Sequence, residues 1–327
     1  MAKPSNRNAA PIVLADVGGT NVRFAVLTGG VLGPVLYLAV RDHAQFSDAL
    51  AVFLDRQSDR ATIRSAIFAV AGVVTGERCD ITNYPWVVDG AELRARFGFT
   101  SIRVVNDFEA VAWALPHLAS GDLRKLGGDE PAADAPMLAL GPGTGLGVAA
   151  YVPGAHGGSV LRSEAGHATL PSGSPREDDI VKSLRYRFGH VSAERVLSGG
   201  GLENLYRAIA EIDQVTVPER SAADITQAAL SGRCPTSRAA LDTFCALLGE
   251  VAGNLALAFR AEGGVFIAGG IVSHIGDFLP RSQFRARFEA KGRFRAYLAI
   301  IPVYVILYGD PALIGLRALA LPPLQQG

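Results

Sequence analysis

Short apolar runs recur along the chain, each closed by glycine, proline, asparagine or aspartate. Ile12-Val13-Leu14-Ala15 comes first; it is partly β-branched and too short for a helix, so it reads as a strand. Asp16-Val17-Gly18-Gly19-Thr20-Asn21 is turn chemistry, Val22 to Leu27 reads as the returning strand, and Gly29-Gly30 as the next hairpin turn. Phe46 to Leu54 has helical apolar spacing. Ala66 to Ala71 and Ile102 to Val105 are buried-type strands, and Val111 to Leu115 opens a helix after Asn106-Asp107-Phe108. Met137 to Leu140, the loop Gly141-Pro142-Gly143-Thr144-Gly145 and Val148 to Val152 form a second strand–loop–strand. Ala239 to Phe259 is apolar on most faces and predicts a deeply buried helix stopped by Gly263-Gly264. Val265 to Ala268 and Ile301 to Leu307 are late strands, Gly269-Gly270 is a tight turn, and Pro311 can start a closing helix to Leu319. The alternation predicts an α/β chain.

The two strand–loop–strand units superimpose with Thr20 on Thr144, 124 positions apart, which pairs Leu14 with Leu138, Gly19 with Gly143 and Ala25 with Ala149. A weak repeat of this kind predicts two related lobes, each opening with a phosphate-facing hairpin. A chain of 327 residues exceeds one ordinary core in any case. The expected division is residues 1–115 plus 306–327 as a small lobe and 116–305 as a large lobe. Charge changes the picture by exclusion. With 31 basic and 31 acidic residues there is no excess to meet phosphates, so neither a nucleic-acid nor a membrane partner is expected. Cys79, Cys234 and Cys245 form no C-x-x-C pair and suit a reducing compartment. Met1 to Ala10 lacks the apolar core of a signal peptide and reads as a short disordered tail, so the expected location is cytoplasmic.

Backbone N–H groups approach phosphate oxygens most easily through glycine. Three strand-ending sites offer this: Gly18-Gly19-Thr20, Gly143-Thr144-Gly145 and Gly269-Gly270. No glycine is followed by the lysine of a P-loop, and the G-x-G-x-x-G fingerprint fails at Leu146 and Val148. Asp16-Val17-Gly18-Gly19-Thr20-Asn21-Val22-Arg23 resembles the first phosphate motif of the sugar-kinase, actin and Hsp70 superfamily; Gly141 to Gly147 resembles its second, and Ile267-Ala268-Gly269-Gly270-Ile271 its adenosine motif. The resemblance implies two actin-like (ribonuclease H-like) lobes, each a mixed sheet flanked by helices, with an interlobe cleft. It implies ATP held by Asp16, Gly18, Gly19, Thr20, Asn21, Gly143, Thr144, Gly145, Gly269 and Gly270, with Asp16 near Mg²⁺, through water because that ion keeps much of its hydration shell.

Within the superfamily the chain is most similar to bacterial glucokinases. Asn106-Asp107-Phe108, where a strand ends and a helix begins, reads from the residues alone as helix capping. Resemblance instead makes Asp107 the base for the attacking hydroxyl and Asn106 a sugar ligand. Ser163-Glu164-Ala165-Gly166-His167 is similar to the family's E-x-G-H motif, in which the carboxylate and imidazole grip sugar hydroxyls. Ser192-Ala193-Glu194-Arg195-Val196-Leu197-Ser198-Gly199 reads locally as a capping box with Ser192 starting a short helix, and by resemblance makes Glu194 a further sugar ligand. The implied reaction is phosphorylation of glucose at its 6-hydroxyl by ATP and Mg²⁺, feeding glycolysis, in a homodimer. A sugar-sensing regulator needs a helix-turn-helix for which about ten residues before the first strand leave no room. An actin-like or chaperone ATPase would lack the set Asn106, Asp107, Glu164, His167 and Glu194. Mannose or glucosamine as the acceptor stays open at this stage.

Overall fold

The computed structural model describes residues 10–321 except Asn83 and His156; the expected N-terminal tail falls outside this range apart from Ala10. The described chain groups into two compact units. One comprises the residues up to Leu118, Ala155–Arg162 and those from Tyr308; the other comprises Ala119–Gly154 and Ser163–Leu307. The segment 155–162, which the expected division places in the larger lobe, joins the first unit. Arg162 there lies 3.9 Å from the buried carboxylate of Glu109.

The first unit is built on β1 (Ile12–Val17), β2 (Asn21–Thr28), β3 (Val31–Leu32), β4 (Leu36–Ala39) and β5 (Ser65–Val70), with β6 (Val74–Thr75), β7 (Arg78–Asp80) and β8 (Val87–Asp89) as a small separate sheet, then β9 (Ser101–Asn106). The main sheet runs β3-β2-β1-β5-β9, with β4 also on β2. β1 is antiparallel to β2 and parallel to β5, which is parallel to β9. β1 and β5 are apolar nearly throughout because both of their faces are covered. On one face lie Phe24, Phe46, Phe53, Phe68 and Trp86, all at most 1% exposed; the Phe24 and Phe53 rings stack at 5.1 Å, and Phe68 meets Phe46 edge-on at 5.2 Å. The helix Phe46–Leu54 supplies two of these rings from the apolar stripe its spacing predicts. Helices Asp107–Ala114 and Pro311–Ala320 pack together so closely that Gly315 touches the carbonyl of Ala110.

The second unit repeats the plan. Its sheet contains β10 (Leu123–Gly127), β11 (Met137–Pro142), β12 (Leu146–Val152), β13 (Val265–Ile267) and β14 (Val303–Ile306), ordered β10-β14-β13-β11-β12. β11 is antiparallel to β12 and parallel to β13, and β13 is parallel to β14. A hairpin whose first strand is parallel to a later one recurs in both units, but it opens only the first, since β10 precedes it in the second. The register differs by one residue: Leu14 faces Ala25, whereas Leu138 faces Ala150, because the second hairpin holds one more residue between equivalent positions. The long helix begins at Pro235 rather than Ala239 and ends at Phe259. It meets length and composition criteria for a membrane span, yet 67% of its most apolar stretch is buried in this core.

Candidate active site

In open α/β sheets, ligands bind beyond the carboxyl ends of the parallel strands. Every predicted phosphate or catalytic residue of the first unit sits at that edge. β1 ends into Gly18–Thr20, and Val17, Val70 and Asn106 are aligned across β1, β5 and β9. The turn is closed by the Gly18 N–H, which donates to Asn21 O at 3.1 Å, and Thr20 O accepts from Val40 N at 2.9 Å. A Cβ on Gly19 would meet nothing nearer than 3.8 Å, so its backbone stands open.

Asn106 is the residue that caps the helix. Its Oδ1 accepts from Phe108 N (2.9 Å) and Glu109 N (3.3 Å), while its Nδ2 donates to Gly72 O (3.1 Å). The capping expectation for the Asn-Asp pair thus falls on Asn106 and leaves Asp107 as the first helical residue. Asp107 Oδ1 accepts from Phe108 N at 2.9 Å. Burial, and after it the charge of Asp16, push its carboxyl up to about 7, against the pull of hydrogen bonds from Phe108, its own N–H and Asn106. Burial likewise raises Asp16; Arg23 opposes this, and Asp310 adds to it. Arg23 Nη1 donates to Asp16 at 3.1 Å, and its Nε lies 2.9 Å from Asp310 in an ion pair too bent for a hydrogen bond. Tyr37 donates its hydroxyl to the same Asp310. Sequence reasoning passed over Asp310 and Tyr37. Gly309-Asp310-Pro311 announces a helix start, but the Asp310 carboxylate makes no capping bond and faces Arg23 instead.

The second unit brings its predicted residues together around β11 and β12. The Gly143 N–H donates to Gly145 O (2.8 Å), and Gly143 O accepts from Gly199 N (2.9 Å). Gly143 has open space where a Cβ would lie, so its exposed edge can accept a bulky ligand. Gly269 has φ 103°, and a Cβ there would come within 2.4 Å of Pro142 O, so only glycine fits. Gly270 starts the next helix.

Glu164-Ala165-Gly166-His167 forms a 3₁₀ turn docked on β12: the site of a Gly166 Cβ lies 2.1 Å from Leu146 O, and Gly166 O accepts from Glu194 N at 2.9 Å. His167 Nε2 lies 4.0 Å from Glu164 and its Nδ1 lies 3.9 Å from Glu194. Both Glu164 and His167 are largely exposed, with side chains at 66% and 61%; Glu194 is at 32%. The short helix expected from Ser192 is a turn instead, and the next helix is Gly199–Ile212, capped by Ser198. Glu194 is only two residues after Ser192, one short of the capping-box position. Its Oε2 accepts from Leu146 N at 2.9 Å, so this carboxylate joins the second glycine loop to His167.

A model of the glucokinase family matches residues 13–322. The chain belongs to the glucokinase family. It is 44% identical over 315 residues to a glucokinase of Paramagnetospirillum magneticum, covering 95% of this chain and 98% of that protein. Its fold is similar to the crystal structure of a glucokinase from an Antarctic psychrotroph, with TM-score 0.84, 34% identity, and coverage of 95% and 99%. A glucokinase of Balamuthia mandrillaris, solved in complex with glucose, has the same fold at TM-score 0.80 and 24% identity, covering 95% of this chain and 93% of that one. Glucokinase family membership makes the chain a kinase and accounts for the mixed α/β plan of both units. Among the described residues, no group of three His, Cys, Asp or Glu side chains is placed to hold a metal ion by itself.

Proposed function

We propose that this chain transfers the γ-phosphoryl group of ATP to the 6-hydroxyl of glucose, giving glucose 6-phosphate and ADP. The observation that carries the reading is Asp107: a part-buried carboxylate at a strand end, with one oxygen fixed by Phe108 N and a proton affinity near neutrality. A general base works best when its pKa lies near the working pH. In this reading the second oxygen of Asp107 orients the hydroxyl and takes its proton late, as charge leaves it. Asn106 serves mainly as the cap that fixes Asp107 and offers its remaining amide hydrogen to the sugar. Glu164, His167 and Glu194 hold ring hydroxyls; Glu194 does so while keeping Leu146 in place.

In this reading the phosphates are met by backbone N–H groups and hydroxyls of Gly18, Gly19, Thr20, Asn21, Gly143, Thr144 and Gly145. Gly269 and Gly270 receive the adenosine. Such positioning and charge stabilisation carry most of phosphoryl transfer. The donor set also fits Mg²⁺. Asp16 and Asp310 share the single guanidinium of Arg23, which leaves one negative charge uncompensated; burial, with Asp310 adding to it, raises the Asp16 carboxyl. A lone carboxylate suits an ion that keeps its waters and takes its other ligands from ATP. When bound, Mg²⁺ would neutralise phosphate charge; Asp16 would hold it through water. We extend the reading to a homodimer in the cytoplasm, which light scattering on the purified protein tests for assembly. The reaction itself is tested by a coupled assay with MgATP across glucose, mannose and glucosamine. Turnover greatest with glucose is expected; glucose binding without product would overturn the reading in favour of a sensor.

A further inference from the structure

The segment 194–199 does more than carry one carboxylate. Its first residue is tied to the sugar turn, since the Glu194 N–H donates to Gly166 O at 2.9 Å. The same residue is tied to the end of the second glycine loop, since its carboxylate accepts from Leu146 N at 2.9 Å. Its last residue is tied to the start of that loop: the Gly199 N–H donates to Gly143 O at 2.9 Å. Residues 143–146 are thus held at both ends by Glu194 and Gly199. The spacing of these two anchors decides the shape of the loop and, with it, where the Glu194 carboxylate stands.

That spacing is set inside the segment. Val196 and Leu197 are fully buried, and their N–H groups both turn back to Ala193 O, at 3.1 and 2.7 Å. Ser198, 5% exposed, closes the turn: its hydroxyl donates to Glu194 O at 2.8 Å and accepts from Gly201 N at 3.0 Å. Accepting the Gly201 N–H is ordinary helix capping. Donating to Glu194 O is not, because a cap needs only an acceptor. Asp89 caps the helix Gly90–Phe97 with its carboxylate oxygen alone, accepting from Ala91 N and Glu92 N. The surroundings leave little slack, since a Cβ on Gly145 would lie 2.5 Å from the Glu194 carboxylate and one on Gly201 would lie 2.3 Å from the carbonyl carbon of Val196.

We propose that Ser198 is a positioning residue for both substrates. Its hydroxyl fixes the distance from Glu194 to Gly199, and so places the sugar carboxylate and the phosphate loop together. It acts through Glu194 and Gly143 rather than by contact with either ligand. This role rests on the reading that gives Glu194 to glucose and the Gly143–Gly145 loop to ATP.

The test compares Ser198→Ala and Ser198→Gly in the full chain. Alanine is a poor N-cap and glycine a nearly adequate one, so Ser198→Ala should melt about 2–4 °C below the parent and Ser198→Gly within about 1–2 °C of it. Both lack the bond to Glu194 O. In both, the KM for ATP and the glucose dissociation constant from calorimetric titration should rise together by about five- to tenfold, the usual effect of one lost hydrogen bond at each site. The kcat should change by less than about threefold, as for loss of binding shared by ground and transition states. In a Glu194→Gln background, Ser198→Gly should weaken glucose by less than a further factor of about two, because the carboxylate it positions is gone, while the KM for ATP still rises. A residue that only caps would lower the melting temperature as alanine and leave both constants at parental values in the two variants. That result in Ser198→Gly overturns the proposal even where Ser198→Ala does not fold. A change confined to one substrate, or a full additive loss of glucose affinity in the double variant, overturns it too. Parental glucose affinity in Glu194→Gln, or a parental KM for ATP in Gly143→Val, would bring down the assignment of the ligands, and this role with it.

Discussion

Asp107 should trade stability for catalysis, and Asp107→Asn should show both sides at once. An aspartate has an ordinary pKa of 3.8; the fold raises Asp107 to about 7, a difference of about 3. Each unit is worth about 1.4 kcal/mol, so holding this carboxylate ionised above pH 7 destabilises the fold by up to about 4 kcal/mol. Part of that figure is returned by relaxation and water, and about 1–2 kcal/mol is a reasonable measured gain for a neutral replacement. The sign follows from the raised pKa. Below about pH 4 both states are protonated and no penalty exists; it grows as pH rises through the interval from about 4 to about 7, and is complete above it. Asparagine keeps the geometry, since its Oδ1 can accept from Phe108 N, and Asn106 remains as the cap. The mutant should therefore melt about 3–6 °C higher than the parent at pH 8, with the gain shrinking towards pH 4. Its kcat should fall by about 10²–10⁴-fold, the usual worth of a positioned base, while glucose affinity changes little. The parent's kcat/KM should fall as pH drops below about 7, when Asp107 takes up a proton. Thermal melts at several pH values, a coupled assay and a glucose titration on one preparation suffice. A mutant that melts like the parent at every pH and retains near-normal kcat would refute both the buried charge and the base.

The other predictions separate ligand contact from folding. Gly143→Val and Gly19→Val place side chains in open space, so melting temperatures should hold while the KM for ATP rises at least about tenfold; Gly269→Ala, by contrast, meets Pro142 O and should lower the melting temperature first. Glu194→Ala leaves the Leu146 N–H unpaired and should cost about 1–3 kcal/mol in stability together with glucose affinity, whereas Glu194→Gln keeps an acceptor for Leu146 and should lose glucose affinity alone; calorimetric glucose titrations beside thermal melts distinguish them. Asp310→Asn gives Arg23 wholly to Asp16 and should weaken metal binding by about 1 kcal/mol, roughly fivefold, read as Mn²⁺ affinity in the presence of ADP by paramagnetic resonance; unchanged affinity would detach Asp310 from the metal carboxylate.

What the sequence made legible was local. β1, β2, β11 and β12 announced themselves through apolar runs cut by glycine, and the helix Phe46–Leu54 through its spacing, because each depends on neighbours a few positions away. The glycine loops were legible for the same reason, though composition could not tell which glycines the fold itself requires. Gly269 is needed for its φ and its contact with Pro142, and Gly166 for its contact with Leu146, while Gly19 and Gly143 are left open by the protein. Function is written more plainly in the open ones, where no internal contact explains the missing side chain. Relations between distant residues were not legible. Nothing near Asp310 signals that it shares Arg23 with Asp16, and the local pattern around Glu194 suggested a cap when its carboxylate reaches Leu146, 48 positions earlier. The same holds for Asp107. A capping preference is a property of a dipeptide, and it was read correctly as such, but the proton affinity of Asp107 is set by burial and by Asp16 on another strand. A carboxylate at a helix start whose cap is already supplied by its neighbour has no structural duty to discharge, and above about pH 7 its charge is carried at a cost to the fold. That combination, rather than the motif, is the physical argument for assigning it the chemistry.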